Sequence, residues 1–336
     1  MSNAPRTLVL LPPSLYRLLF DDGADRDLRQ STKVTFQEEE RRLTPEEMAG
    51  RLPDQEIVVT GWGTPRLADP ALRQATRLRL VAHSAGTVKP FVSPELFKRG
   101  VRVTQANDAM AIAVAEHCLA LCLAMLRYLP QYDRSLRAGE GWERAQAPGF
   151  AYELASSRVG VVGASRCGTA FIRMITPLAG EVVVSDPYLT EERASELGVR
   201  RCGLEELLRT SRLVALHAPS TTATHHLLKA AELSWMPDGA VLVNTARSWL
   251  VDEAALQAEL ATGRISAAID VFDQEPLPED SPWRRLDGAF LTPHVAGATF
   301  EARHRQGAAV VEEIQRYVRG LPPRREVRRE DLDTVA

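Results

Sequence analysis

Three side chains in the second half of the chain are of the types that could bind a small acid and exchange a proton with it while a hydride is transferred. Arg247 comes just past a predicted strand, Glu275 just past the next one, and His294 just past the last one. Open α/β sheets bind ligands at the carboxyl ends of their parallel strands, so we expect these three residues to meet in one site.

The chemistry of a 2-oxo acid needs these residue types. An arginine can bind the substrate carboxylate through two parallel hydrogen bonds, which gives Arg247 the role of binding and polarising the substrate. His294 can give a proton to the carbonyl oxygen during reduction, or take one during oxidation. Glu275 beside it would fix the tautomer and favour the imidazolium. Taken singly, a surface arginine, a loop acid and a hydrogen-bonded loop histidine are the plainer interpretations, and only the combination favours catalysis.

A glycine-rich segment, Val-Gly-Val-Val-Gly-Ala-Ser-Arg-Cys-Gly, lies between a predicted strand and a predicted helix, the context that a dinucleotide fingerprint requires. Gly163 would form the tight turn and Gly168 would let the helix pack closely on the strand. Ser165 replaces the middle glycine, and its hydroxyl could donate to a phosphate oxygen. Asp186, eighteen residues after Gly168, would accept hydrogen bonds from the adenosine ribose and favours NAD over NADP. Alone, the motif also fits a structural turn or a methyltransferase-type nucleotide site.

Strand and helix patterns alternate along two stretches of the chain, which predicts an α/β fold of two doubly wound parallel-sheet domains. The predicted strands of the first series are Thr7–Leu11, Lys33–Phe36, Ile57–Thr60, Leu78–Ala82 and Val101–Thr104. Those of the second are Arg158–Val162, Glu181–Ser185, Val199–Cys202, Leu213–Leu216, Ala240–Asn244, Ser266–Asp270 and Ala289–Leu291. We expect a discontinuous substrate-binding domain, 1–108 with 300–336, and an NAD-binding Rossmann domain, 109–299, with a cleft between them.

Composition narrows the class of protein. The 336 residues carry a formal net charge of −3, which argues against a nucleic-acid-binding protein. The segment Ala109–Leu126 is as long as a membrane span, but Glu116 and His117 near its middle are costly in lipid. We therefore predict a helix buried in the protein or at a subunit interface, and no membrane association. The four cysteines form no metal-ligand pattern, no metal is expected, and the absence of a signal-like N-terminus favours a reducing cytoplasm.

With these motifs in view, the segment from Ile57 to Gly307 resembles the D-isomer-specific 2-hydroxyacid dehydrogenases, a family that includes phosphoglycerate, glyoxylate/hydroxypyruvate and D-lactate dehydrogenases. The resemblance rests on Asn-Thr-Ala-Arg with Leu-Val-Asp, on Asp-Val-Phe with Glu-Pro, and on Thr-Pro-His with Ala-Gly-Ala-Thr. It implies an NAD-dependent oxidoreductase of the EC 1.1.1 class that acts on a small 2-hydroxy or 2-oxo acid. It also implies a flavodoxin-like substrate domain, and a homodimer formed largely through the cofactor domain with the apolar helix contributing.

The resemblance implies further site residues. The backbone of Ala85 and Gly86 would hold the substrate carboxylate. The residues that would contact the cofactor, besides Gly163, Ser165, Gly168, Asp186 and His294, are Arg166, Cys167, His217, Ala218, Pro219, Thr224, Thr245, Ala246, Asp270 and Gly297.

Three departures from the family pattern bear on the substrate. Ser248 and Trp249 stand where glycines are common, and Trp249 either packs beneath its loop or narrows the pocket. Trp62 offers an apolar face on the substrate side, which disfavours 3-phosphoglycerate. Neither the acid nor the physiological direction follows from the sequence. Two alternatives remain. One is a non-catalytic NAD-sensing binding protein resembling the C-terminal binding protein corepressors. The other is a methyltransferase, which would have no use for Arg247, Glu275 and His294.

Overall fold

The computed structural model describes residues 4–146 and 151–333, so the first three and last three residues of the predicted substrate domain lie outside it. The strands are β1 Arg6–Val9, β2 Lys33–Phe36, β3 Ile57–Thr60, β4 Leu80–His83, β5 Arg102–Gln105, β6 Arg158–Val162, β7 Glu181–Ser185, β8 Arg200–Arg201, β9 Leu213–Leu216, β10 Val241–Asn244, β11 Ser266–Ile269 and β12 Ala289–Leu291. The α-helices are α1 Pro13–Leu19, α2 Asp22–Ser31, α3 Pro45–Arg51, α4 Asp69–Gln74, α5 Pro94–Lys98, α6 Ala111–Leu126, α7 Leu129–Arg137, α8 Trp142–Ala145, α9 Arg166–Ile175, α10 Glu191–Leu197, α11 Leu204–Thr210, α12 Ala230–Ser234, α13 Glu253–Ala261 and α14 Phe300–Val318.

The chain divides into two compact units, Met1–Met110 with Ala298–Ala336, and Ala111–Gly297. In the first unit five parallel strands run in the order β2-β1-β3-β4-β5. Every residue of β3 and β4 is buried, as expected for strands covered by helices on both faces. The strand order reverses between β1 and β3, which is where such sheets open a crevice for a ligand.

The second unit is built on seven parallel strands in the order β12-β11-β10-β9-β6-β7-β8. Its order reverses between β6 and β9, so the loops after these two strands flank the crevice. The two all-parallel sheets confirm the predicted fold class. The assignment of one unit to the substrate and the other to the cofactor stays a prediction.

The apolar segment forms helix α6, preceded by a 3-10 turn, Asn107–Met110. Within the described residues Asn107–Leu126 is a helix apolar and long enough to cross a membrane, and 56% of that window is buried inside the protein. Cys118, Leu121, Cys122 and Met125 pack in the core with α9 and the strands of the second sheet. The buried side of α6 thus supports the prediction of an internal helix.

From the sequence alone we predict a helix at Thr169–Leu178 and a charged tail that frays from Leu321 onward, and the structure differs from both predictions. Helix α9 begins at Arg166 rather than Thr169, because Ser165 caps it, and ends at Ile175 rather than Leu178, because Pro177 cannot continue a helix. The tail was expected to fray from Leu321 onward. Instead Val327 is buried and donates its backbone N–H to Val103 O (2.8 Å).

Arg325 explains why the tail is ordered. Its guanidinium forms ion pairs with Asp108 (2.9 Å), Glu312 (2.7 Å) and the buried Glu313 (3.2 Å). Arg325 thus supplies a cation to the buried Glu313 carboxylate, which also accepts the backbone N–H of Arg324 (3.0 Å). Residues 334–336 of the predicted tail lie outside the described residues.

Candidate active site

His294 lies in a loop whose shape is set by a buried carboxylate. Asp270, fully buried just after β11, accepts hydrogen bonds from Thr292 Oγ1 (2.5 Å), Val295 N (2.9 Å) and Ala296 N (3.0 Å). Three donors at its two oxygens satisfy the hydrogen-bonding capacity of a carboxylate inside the protein. Between them the backbone of His294 adopts a left-handed conformation, with φ of +53°. The strain of that conformation is supported by the bonds to Asp270.

Glu275 orients the imidazole of His294. Its Oε2 lies 2.6 Å from His294 Nδ1, while its Oε1 accepts the backbone N–H of Phe272 at 3.0 Å. An ionised carboxylate only accepts, so Nδ1 carries the proton, and Nε2 is the atom at which a proton can be exchanged with a substrate. The His294 side chain is 48% exposed and can therefore be reached by a ligand.

Arg247 follows β10 in a turn held by Asn244, whose side chain donates to Arg247 O (2.9 Å) and accepts from Ala246 N (3.1 Å). Burial lowers the pKa of Arg247, and the nearby carboxylate of Glu275 opposes that shift. No carboxylate of the described residues lies within 4.0 Å of this guanidinium, which bonds the Ala246 carbonyl instead (2.6 Å). A partly buried cation without an ion pair is suited to an anionic ligand.

The glycine-rich turn after β6 has the geometry that its sequence predicts. Gly163 has φ of +95°, and a Cβ there would lie 2.6 Å from Ala218 N. A Cβ on Gly168 would lie 2.1 Å from Gly163 O. The structure thus brings the turn after β6 against the loop after β9, at the point where the strand order reverses. Ser165 donates to His217 O (2.8 Å) and accepts from Gly168 N (3.3 Å), so its hydroxyl is used within the fold.

These features fit a bound dinucleotide. Arg166 and Cys167 occupy the first turn of α9, where backbone N–H groups lack intrahelical acceptors and attract phosphate. Asp186, one residue past β7, is fixed by Ala164 N (2.6 Å) and Tyr188 N (2.7 Å). Each oxygen keeps a lone pair for a ribose hydroxyl.

The other implied cofactor contacts lie in loops at the carboxyl ends of the strands: His217, Ala218, Pro219 and Thr224 after β9, Thr245 and Ala246 after β10, and Gly297 after β12. Thr224 Oγ1 donates to Pro219 O (2.6 Å) and accepts from Thr221 N (2.8 Å), which closes its loop on itself. His217 and Thr245 are buried.

Three of the four predicted substrate-binding residues belong to the other unit, whereas Arg247 lies in the same unit as His294. Ala85 and Gly86 are buried after β4, and Trp62 is 38% exposed after β3. The structure therefore brings Arg247, Glu275 and His294 together in one unit and groups the substrate-side residues in the other.

Sequence reasoning missed several contacts around these residues. The Thr292 hydroxyl, 3.3 Å from His117 Nε2, couples the loop of His294 to α6, and the Thr-Pro-His motif was the available signal. Trp249 donates to Thr221 O (2.9 Å), and its ring centroid lies 4.0 Å from that of His225. The tryptophan therefore packs on the loop of Thr224.

Comparison with known proteins identifies a family with the same arrangement. Residues 119–296, more than half of the chain, match the family model described as D-isomer specific 2-hydroxyacid dehydrogenase, NAD binding domain. The glyoxylate reductase of Pyrococcus furiosus is 33% identical over 303 residues, which cover 88% of this chain and 89% of that protein. The D-3-phosphoglycerate dehydrogenase of Archaeoglobus fulgidus is 33% identical over 286 residues, 85% of this chain and 54% of that protein. The chain therefore spans about half the length of the phosphoglycerate dehydrogenases that it matches.

Solved structures agree with the sequence comparison. The holo form of Rhodotorula graminis D-mandelate dehydrogenase superposes with a TM-score of 0.85 at 25% identity, covering 96% of this chain and 97% of that one. A D-lactate dehydrogenase from Treponema pallidum gives a TM-score of 0.80 at 26% identity, covering 96% and 99%. By sequence, by fold and by the residues gathered around His294, the chain belongs to the D-isomer-specific 2-hydroxyacid dehydrogenase family, and its second unit contains the family's NAD-binding domain.

Proposed function

We propose that this protein is an oxidoreductase of the EC 1.1.1 class that interconverts a small 2-hydroxy acid and the corresponding 2-oxo acid with NAD(H). The observation that carries the proposal is the 2.6 Å contact between His294 Nδ1 and Glu275. It fixes the imidazole of a partly exposed histidine through Nδ1 and leaves Nε2 for proton exchange. The same unit also holds an arginine without an ion pair among the described residues and a dinucleotide-type glycine turn.

In the reducing direction Arg247 binds the substrate carboxylate through its guanidinium. When bound, NADH supplies the hydride that reaches the carbonyl carbon. His294 Nε2 gives its proton to the carbonyl oxygen, and Glu275 stabilises the imidazolium before that transfer. In the oxidising direction His294 takes the hydroxyl proton. Asp186 would repel the 2′-phosphate of NADP, which makes NAD the cofactor.

The names of the relatives support a short substrate. Two similar proteins that this chain covers over most of their length, from Pyrococcus furiosus and Korarchaeum cryptofilum, are glyoxylate reductases. We also propose that the protein forms a homodimer. The four cysteines form no disulfide in the structure, which fits the reducing cytoplasm that we propose as its location.

A spectrophotometric assay of NADH consumption tests the proposal. The panel is glyoxylate, hydroxypyruvate, pyruvate and phenylpyruvate, and His294→Ala is compared with the wild type. Turnover of at least one acid that falls by 10²-fold or more in the variant is the expected result. NADH binding in calorimetry without turnover of any 2-oxo acid would instead favour a non-catalytic NAD-sensing protein.

A further inference from the structure

The turn Gly61-Trp62-Gly63-Thr64 follows β3 at the point where the strand order of the first unit reverses. Gly61 N donates to Thr64 Oγ1 (3.0 Å), and that hydroxyl donates to Leu10 O (3.1 Å), just past β1. The turn is thus bonded across the two strands between which this type of sheet binds its ligands. Trp62 stands at its tip and is 38% exposed.

Arg303, in the first turn of α14, presents a cation at this turn. Its guanidinium carbon lies 4.4 Å from the centroid of the Trp62 ring. Its Nη1 donates to Gln306 Oε1 (2.9 Å) and lies 4.0 Å from Met110 Sδ. Within the described parts of the chain no carboxylate comes within 4.0 Å of it, and its pKa is lowered because of burial. Its partners are therefore an amide, a thioether and an indole face, none of which balances its charge.

Gln306 links this cation to the loop that we assign to the substrate carboxylate. It is fully buried, and its Nε2 donates to Ser84 O (2.8 Å), next to Ala85. Met110, which contacts Arg303, also approaches Gly86, where a Cβ would lie 3.1 Å from its Cε. One amide side chain thus separates the guanidinium from the Ala85–Gly86 loop, so the two could bind opposite ends of one short molecule.

We propose that Arg303, stacked on Trp62, binds a second anionic group of the substrate, so that this enzyme prefers 2-oxo acids with a negatively charged distal end. The proposal rests on the proposed function and adds a specificity-determining residue to it. The face of the guanidinium is covered by the indole, and its edge keeps donors that can bond two oxygens of one anion. Arg42 packs on Gly63 of the same turn and adds positive charge there.

The competing explanation is that Arg303 serves only to support Trp62 and the helix. A supporting cation is normally neutralised by a carboxylate when it is partly buried, as Arg325 is in the same unit. Arg303 is not neutralised by a carboxylate of the described residues, although burial removes part of its hydration. An anion that arrives with the substrate would supply the missing partner.

Matched pairs of 2-oxo acids test the proposal by turnover. Oxaloacetate is compared with 2-oxobutyrate, 2-oxoglutarate with 2-oxovalerate, and phosphohydroxypyruvate with hydroxypyruvate. The wild type should favour the anionic member of at least one pair in kcat/KM, and the pair shows whether the group is a carboxylate or a phosphate. In Arg303→Met the ratio within that pair should fall by about 10- to 100-fold, and Arg303→Lys should lie between. Arg305→Met, on the same helix, is the matched control and should keep the ratio.

A wild type that does not prefer any anionic member, or a ratio that is unchanged in Arg303→Met, overturns the proposal. Calorimetry keeps the test independent of turnover. With NADH bound, succinate should bind the wild type more tightly than butyrate, and Arg303→Met should lose that difference while Arg305→Met retains it. If no 2-oxo acid is turned over, the proposed function fails and this measurement alone decides the role of Arg303. Equal binding of the two acids to the wild type would contradict it.

Discussion

Two carboxylates lie near His294, and their hydrogen bonds suit them to different tasks. Asp270 is fully buried and spends both oxygens on one hydroxyl and two backbone N–H groups, so it shapes the loop. Glu275 is 35% exposed and gives one oxygen to the backbone and the other to the imidazole. Residue type alone does not separate these roles, whereas the number and kind of donors around each carboxylate does.

Glu275→Gln is predicted to lower kcat by about 10²- to 10⁴-fold, because a neutral amide can no longer stabilise the imidazolium and can also bond the wrong tautomer. The Kd of NADH, measured by fluorescence titration, should change by less than about threefold, since the effect is on proton transfer. Glu279→Gln, an exposed acid on the same loop, should keep wild-type kcat. A Glu275→Gln enzyme with more than half of the wild-type kcat would remove Glu275 from the role proposed for it.

Asp186→Asn should relax the choice of cofactor. The substitution removes the charge that repels a 2′-phosphate and keeps one oxygen to accept a backbone N–H. We expect the ratio of kcat/KM for NADPH to that for NADH to rise by about tenfold or more, which corresponds to about 1.4 kcal/mol. Asp287→Asn, which makes the same change of charge at a side chain that is 98% exposed, is the control. A wild type that already prefers NADPH would contradict the assignment.

At the scale of elements, several strands of the second unit were predictable because they are short apolar runs that are mostly buried, as β6, β7 and β9 are. The predicted bounds of β6, β7, β9 and β12 agree with the structure. The ends of helices were harder to predict from the sequence, because they depend on capping hydrogen bonds such as that from Gly168 N to Ser165 Oγ. Propensity places the start of a helix only to within a few residues.

The features of the site also differ in how far they could be predicted from the sequence. The grouping of Arg247, Glu275 and His294 could be predicted from the sequence, because the carboxyl ends of parallel strands converge on one edge of a sheet for any conformation of the loops. The cation–π contact of Arg303 with Trp62 could not be predicted from the sequence, because about 240 residues separate the two and only tertiary packing brings α14 to the turn after β3. Likewise the ordered tail depends on ion pairs between Arg325 and acids on other elements.

His83, at the end of β4, should make the stability of the folded protein decrease as the pH falls. This imidazole is 1% exposed, its Nδ1 lies 2.9 Å from Thr60 Oγ1, and burial lowers its pKa from 6.5 to about 3. Between these two pH values the unfolded chain binds a proton that the folded chain does not. The stability contributed by neutral His83 is therefore complete above about pH 6.5 and is lost as the pH falls toward 3.

From pH 7 to pH 5 this linkage should cost about 2 kcal/mol in the free energy of unfolding, measured by urea titration. His83→Gln should show a loss smaller by that amount over the same interval, even if it is less stable at pH 7. His304→Gln, on an exposed residue, should retain the wild-type slope. If His83→Gln and the wild type lose the same free energy between these pH values, His83 is not the group responsible.

At the scale of the whole molecule, α6 buries one side and leaves another exposed. Cys118, Cys122 and Met125 are in the core, whereas Ile112 is 47% and Leu123 40% exposed. Helix α7 continues the exposed apolar surface with Leu129 and Leu136. Large aliphatic side chains at helical spacing on a surface mark an interface, because each gains about 1.5–3 kcal/mol when it is removed from water.

We therefore predict that the protein is a homodimer that associates through α6 and α7. Light scattering coupled to size-exclusion chromatography should give twice the mass of the 37.1 kDa chain at micromolar concentration. Leu123→Glu would bury a charge without a partner at the centre of this surface, and should give a monomer with a lower melting temperature. Leu178→Glu makes the same substitution at a leucine that is 47% exposed elsewhere, and should remain dimeric. A wild-type mass of one chain, or a Leu123→Glu variant that dimerises as tightly as the wild type, would show that α6 faces solvent or a different partner.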